Sequence, residues 1–108
     1  MIVDDHAMVR MGLRSLLEQQ PGFEVVGDAS SGEEALRKAA KLKPDIAIVD
    51  LMMPGMDGVE TIRRFARDFP STKTLILTTF GTADGISHAL DAGARGAILK
   101  SADLKELA

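Results

Sequence analysis

Residues 45–58 read D-I-A-I-V-D-L-M-M-P-G-M-D-G. Ile46, Ile48 and Val49 make a near-continuous apolar run, the mark of a strand covered on both faces, as in a parallel sheet. The run ends on Asp50 and enters a stretch shaped by Pro54, Gly55 and Gly58, whose role is conformational. Outward from here, short β-branched runs alternate with longer amphipathic ones, which is the pattern of a parallel α/β sheet.

Strands are expected at Met1–Asp4, Phe23–Asp28, Asp45–Asp50, Lys73–Thr78 and Gly96–Leu99. Helices are expected between them. From His6 to Gln20, Val9, Leu13, Leu16 and Leu17 recur at helical spacing until Pro21 and Gly22. From Ser31 to Lys43, Ser31 and Glu34 form a capping box and Pro44 stops the helix. From Asp57 to Phe69, Val59, Ile62, Ala66 and Phe69 mark one apolar face, with Asp57 and Glu60 as an N-cap and its partner. From Thr82 to Ala92, Ile86, Ala89 and Leu90 face inward and Gly93 caps the end. A last helix starts near Ala102. Right-handed crossovers and helices on both faces then give a doubly wound, five-stranded parallel sheet. The first strand and last helix are short, so the natural protein is expected to extend beyond residues 1–108.

The 108 residues suit one domain with a modest core. There is no Cys, which excludes disulfides and thiolate metal sites and fits a reducing cytosol. No apolar run reaches the length of a membrane span, and no signal-peptide pattern opens the chain. The net charge is −3 and no basic block stands out, which argues against nucleic-acid binding by these residues. With no Trp or Tyr and only four Phe, the composition also argues against a base-stacking platform. The six Met residues read as core fillers and interface residues.

In such sheets ligands sit beyond the carboxyl ends of the strands, where strand order reverses. Asp4 and Asp5 end the first strand, Asp50 the third, Thr78 the fourth and Lys100 the fifth. Three close carboxylates repel one another, and a hard divalent cation relieves this. Mg²⁺ suits an all-oxygen site with few protein ligands and several retained waters. An Asp carboxylate is also a nucleophile for a phosphoryl group. Catalysis of that transfer is mostly positioning and charge neutralisation, which Lys100 and the Thr78 hydroxyl can supply.

V-D-D-H at 3–6, I-V-D-L-M-M-P-G-M-D-G at 48–58, L-T-T-F at 77–80 and G-A-R-G-A-I-L-K at 93–100, in this order, resemble the two-component response-regulator receiver domain. The likeness is strongest to the NarL/FixJ (LuxR-type) branch, covers essentially the whole chain, and implies a flavodoxin-like sheet of order 2-1-3-4-5. It implies Asp50 as phosphoacceptor and Asp5 as a direct Mg²⁺ ligand beside Asp50. It also implies Met52 giving its backbone carbonyl to the metal, Asp4 acting through water, Thr78 as the switch hydroxyl and Lys100 on the phosphoryl group. It further implies a sensor histidine kinase as donor, a homodimer on phosphorylation, a cytoplasmic location and no membrane. DNA would be bound only through a C-terminal helix-turn-helix domain outside this sequence.

Two positions depart from the family pattern. Ala97 stands where many receivers carry an aromatic residue, so a rotating ring cannot carry the signal; the 78–82 loop with Phe80 is the substitute expected. Ser101 follows Lys100 in place of a frequent Pro. His6 reads as opening the first helix and His88 as exposed, since neither has a ligand-spaced partner. Three other functions compete. An Asp-nucleophile phosphatase wants a second Asp two residues after the first, where Met52 stands. A nucleotide or flavin module lacks any glycine-rich phosphate motif. A phosphorylation-independent docking module is kept open by Ala97.

Overall fold

The computed structural model describes residues 1–51, 58–78 and 83–99, with only the backbone at 78, 83–86, 98 and 99. The elements are β1 (Ile2–Val3), α1 (Ala7–Glu18), β2 (Asp28–Ala29), α2 (Gly32–Leu42), β3 (Ile46–Asp50), α3 (Gly58–Asp68), β4 (Lys73–Thr78), α4 (Ala83–Ala92) and β5 (Gly96–Leu99). All pairings are parallel and the strand order is β2-β1-β3-β4-β5, the order that the family resemblance implies.

Side chains alternate across a strand with a period of two, so one apolar run feeds two cores. On one face Val3, Val49 and Ile76 pack with Ala35 and Ala39 of α2 and with Ile62 and Phe65 of α3. On the other, Ile2, Ile48 and Leu77 pack with Leu13 of α1, flanked by Val9 and Leu17. Phe65 is completely buried and its ring lies 5.7 Å from that of Phe69. Truncating a buried Phe costs about 3–5 kcal/mol, so this ring anchors α3 to the sheet.

The helix ends follow local chemistry. At the start of α2 the Glu34 amide donates to Ser31 Oγ at 3.1 Å, while the Glu34 carboxylate accepts from the Ser30 amide at 2.9 Å. The capping box is therefore displaced by one residue on its return arm. Gly93 ends α4 with φ +123°, its amide donating to Leu90 and that of Ala94 to Ala89. That pair of bonds is a Schellman cap, which glycine permits because no Cβ opposes positive φ.

The structure corrects three expectations. The second strand is Asp28–Ala29 rather than Phe23–Asp28, and Phe23 is exposed. Its ladder to β1 runs through Ile2–Asp28 and Val3–Ala29, and residues 23–26 have no ladder partner among the described residues. In α3, Thr61 and Phe65 are buried and Ala66 is exposed, because the inward stripe runs through 58, 61, 62 and 65. In α4, Leu90 is exposed while Ala89 is buried. Of the methionines, Met1 fills the core, while Met8 and Met11 are exposed on α1, which leaves the expectation of core and interface methionines uncontradicted. The Asp57 cap, Pro54, Gly55 and the last helix from Ala102 lie outside the described residues.

Candidate functional site

The parallel ladder decides where each carboxylate lands. Asp4 follows β1, and its amide donates to the Ala29 carbonyl at 3.0 Å, which holds it in line with the strand. Asp50 is the last residue of β3, paired with Leu77, and the next amide, that of Leu51, donates to the Leu77 carbonyl at 3.0 Å. Thr78 closes β4 opposite Leu99, the last residue of β5. All four strand ends therefore face the same edge of the sheet, where β1 and β3 diverge in topology.

Asp4 and Asp50 are buried, at 0% and 1% exposure. Carboxylates are almost never buried to this extent without a compensating partner. Asp5 is partly exposed, yet its Oδ1 is sealed from water and accepts no hydrogen bond among the described residues. One ligand atom each from Asp4, Asp5, His6 and Asp50 fall within 4.8 Å of one another. A sealed, unsatisfied carboxylate oxygen beside two buried carboxylates is a donor set that a hard divalent cation completes.

Two residues join the cluster that sequence reasoning left aside. His6 caps the start of α1 without a side-chain cap bond; its ring turns back instead, with Nδ1 3.0 Å from Asp4 Oδ1 and 3.1 Å from Asp5 Oδ1. Its amide donates to Asp4 Oδ1 at 2.7 Å. Arg10, one turn into α1, donates from Nη1 to the Asp4 carbonyl at 2.5 Å. The signal available in the sequence was the adjacency D-D-H with a basic residue one helical turn on. His88 is exposed as expected, in a groove with Val59, Arg63 and Asp91.

Gly58 presses directly on the site. Its amide donates to the Leu51 carbonyl at 3.2 Å, and a Cβ on it would overlap the Asp50 carbonyl oxygen and the Leu51 Cα. The first residue of α3 thus abuts the backbone that carries Asp50. Ala97 is exposed on β5. The Thr78 side chain, Met52, Phe80, Lys100 and Ser101 lie outside the described residues.

The family description "response regulator receiver domain" matches residues 1–108. The chain belongs to this family. It is 43% identical over its full length to the transcriptional regulatory protein LiaR of Bacillus subtilis and 46% identical to the response regulator protein VraR of Staphylococcus aureus. The chain spans about half the length of these curated relatives, 51% and 52%. Among solved structures, a LuxR-family two-component response regulator from Aurantimonas superposes with a TM-score of 0.92 at 39% identity, over 98% of this chain and 76% of that one. The domain is therefore a response-regulator receiver of the LuxR type, with the fold and sheet order of that family. Its relatives are transcriptional regulators rather than metabolic enzymes, and its acidic pocket is suited to a metal ion.

Proposed function

We propose that Asp50 is the phosphoacceptor of this receiver and that the acquired phosphoryl group switches a surface governing dimerisation and output. The observation that carries this reading is the convergence of Asp4, Asp5 and Asp50 at one edge of the sheet, within 4.8 Å. Asp5 and Asp50, with the Met52 carbonyl, would hold Mg²⁺ directly, and Asp4 would hold it through water. When bound, the ion neutralises charge on the phosphoryl oxygens and on the crowded carboxylates.

The chain's own residues do the rest. An Asp50 carboxylate oxygen attacks phosphorus; the P–N bond to the kinase histidine breaks and its electron pair stays on the imidazole. Lys100 draws a phosphoryl oxygen towards the end of β5, and the Thr78 hydroxyl donates to another. The new charge biases a pre-existing equilibrium between two arrangements of the α4–β5 surface. Ala97 has no ring to swing inward, so the 78–82 backbone with Phe80 carries the change. The donor is a sensor histidine kinase in the cytoplasm, and the phosphorylated form is a homodimer. DNA binding and transcriptional control belong to a C-terminal domain of the parent protein. Apart from self-catalysed acceptance and slow hydrolysis of the phosphoryl group, the domain turns over no substrate.

An acyl phosphate is cleaved by hydroxylamine, whereas phosphoserine and phosphothreonine are not. A label taken from a phosphorylated histidine kinase with Mg²⁺ is expected to be released by hydroxylamine and to be absent in Asp50→Asn. A hydroxylamine-stable label would put the phosphoryl group on another residue type and overturn the assignment.

A further inference from the structure

We propose that Arg10 is a positioning residue of the cation site: its guanidinium locks the peptide between Asp4 and Asp5 and so presents the Asp5 carboxylate to the ion. The inference rests on the reading of Asp4, Asp5 and Asp50 as a divalent-cation site and deepens it by saying what holds Asp5 in place.

The three carboxylates are not held alike. Asp50 lies in the β3 ladder, and the Asp4 amide is bonded to Ala29 of β2. Asp5 stands past both contacts, in the turn that leads into α1, and is partly exposed where Asp4 and Asp50 are buried. Arg10 brackets it. The Arg10 amide donates to the His6 carbonyl at 3.1 Å, and Nη1 donates to the Asp4 carbonyl at 2.5 Å. The Asp4 carbonyl and the Asp5 amide belong to one planar peptide, so fixing the first fixes the direction in which the Asp5 side chain leaves the backbone. The guanidinium is itself anchored. The Arg10 side chain is only 19% exposed, and its Nε lies 3.9 Å from Asp28 Oδ2, on a residue whose carbonyl accepts from Lys38 at 2.7 Å. Its planar fork presents separate donors to a carbonyl and a carboxylate at once, which ties the turn after β1 to β2 with α1 as the base. The sign of the effect separates this role from simple electrostatics. Arg10 is a cation beside an acidic site, so its charge alone repels a divalent ion, and removing that charge would tighten binding. Positioning predicts the opposite. Arg14 supplies the comparison, since it carries the same charge one turn on, 3.8 Å from Asp28 and 2.9 Å from Glu18.

The test titrates Mg²⁺ into the 108-residue domain by calorimetry. An ionic strength of about 0.15 M screens long-range charge effects. Arg10→Met, which keeps the side-chain stem, is expected to weaken Mg²⁺ binding about tenfold or more, as loss of an outer-shell partner does. Arg14→Met is expected to change it less than about twofold. Arg10→Lys, with the charge but not the fork, is expected to fall between the parent and Arg10→Met, and it carries the test should Arg10→Met fail to fold. Asp28→Asn is expected to weaken binding too, and to add little once Arg10 is replaced, because both changes release one clamp. In ¹H–¹⁵N spectra of the ion-free domain the Asp5 amide resonance is expected to move in Arg10→Met and to stay in Arg14→Met. Mg²⁺ affinity unchanged or tightened in Arg10→Met, even with a lower Tm, overturns the positioning role and leaves the carboxylate site standing; so does equal weakening in Arg14→Met. Mg²⁺ binding that ignores Asp5→Asn and Asp50→Asn brings down the cation site and this proposal with it.

Discussion

Asp50 sits where two requirements meet: the strand carrying it must be apolar enough to lie in the middle of the sheet, and its own carboxylate must reach the sheet edge. β3 meets the first with Ala47, Ile48 and Val49 buried, and the parallel register meets the second by ending the strand at Asp50 opposite Leu77. Gly58 is the residue whose change most directly disturbs this arrangement. Gly58→Ala forces a methyl into the Asp50–Leu51 backbone, and overpacking of this kind costs about 1–3 kcal/mol. The expected result is a lower urea midpoint at unchanged slope, together with slower phosphoryl uptake; an unchanged midpoint would show that α3 can retreat freely. At this scale the carboxylates were legible because strand ends can be read from apolar runs. His6 and Arg10 were not, because their positions depend on where α1 starts and how a ring turns, which spacing alone does not specify.

The α2 start shows what an element end contributes. The Ser30 amide, helped by Lys38 and Arg37, holds the Glu34 carboxyl below its ordinary value of 4.5. A carboxyl lowered on folding stabilises the fold fully above its unfolded value, and that contribution is lost as pH falls through the lowered value. Glu34→Gln is therefore expected to be less stable than the parent near neutrality, with the difference vanishing in acid; unfolding free energies measured across that range check it. A difference that persists in acid would assign the effect to packing. Helix ends such as Ser31 and Gly93 were readable because capping is a local chemistry. The start of β2 was not, because Phe23, Val25 and Val26 look like a strand but a strand is made by pairing, and residues 23–26 have no ladder partner among the described residues. The stripe on α3 was displaced for a related reason: Thr61 is buried despite its hydroxyl and Ala66 exposed despite its methyl. Tertiary contact outweighs side-chain type at both positions.

The whole molecule is a sheet with two apolar faces and a polar edge, and the edge is the part that opposes folding. Crowded, desolvated carboxylates destabilise the ion-free domain, so a divalent cation should stabilise it by mass action. At a Mg²⁺ concentration about a hundredfold above Kd the gain is about 2.7 kcal/mol. Each kcal/mol raises the Tm of a domain this size by roughly 4–8 °C. Calorimetry with Mg²⁺ and with a chelator is expected to show that rise in the parent and little of it in Asp5→Asn. Equal rises in both would move the ion away from Asp5. The layer arrangement was legible from alternation, since parallel crossovers leave few topologies, whereas the strand order came from the resemblance of the motifs to the receiver family. The surface that responds to phosphorylation was not, since a switch is a difference between two conformations and a sequence specifies both at once.

The central claim is that Asp50 takes the phosphoryl group in a cation-dependent reaction. Intact mass after incubation with Mg²⁺ and a small acyl-phosphate donor tests it most directly. The expected result is a gain of one phosphoryl mass that disappears with a chelator and in Asp50→Asn. A folded domain that gains no mass, or an Asp50→Asn variant that gains it as readily, would contradict the claim.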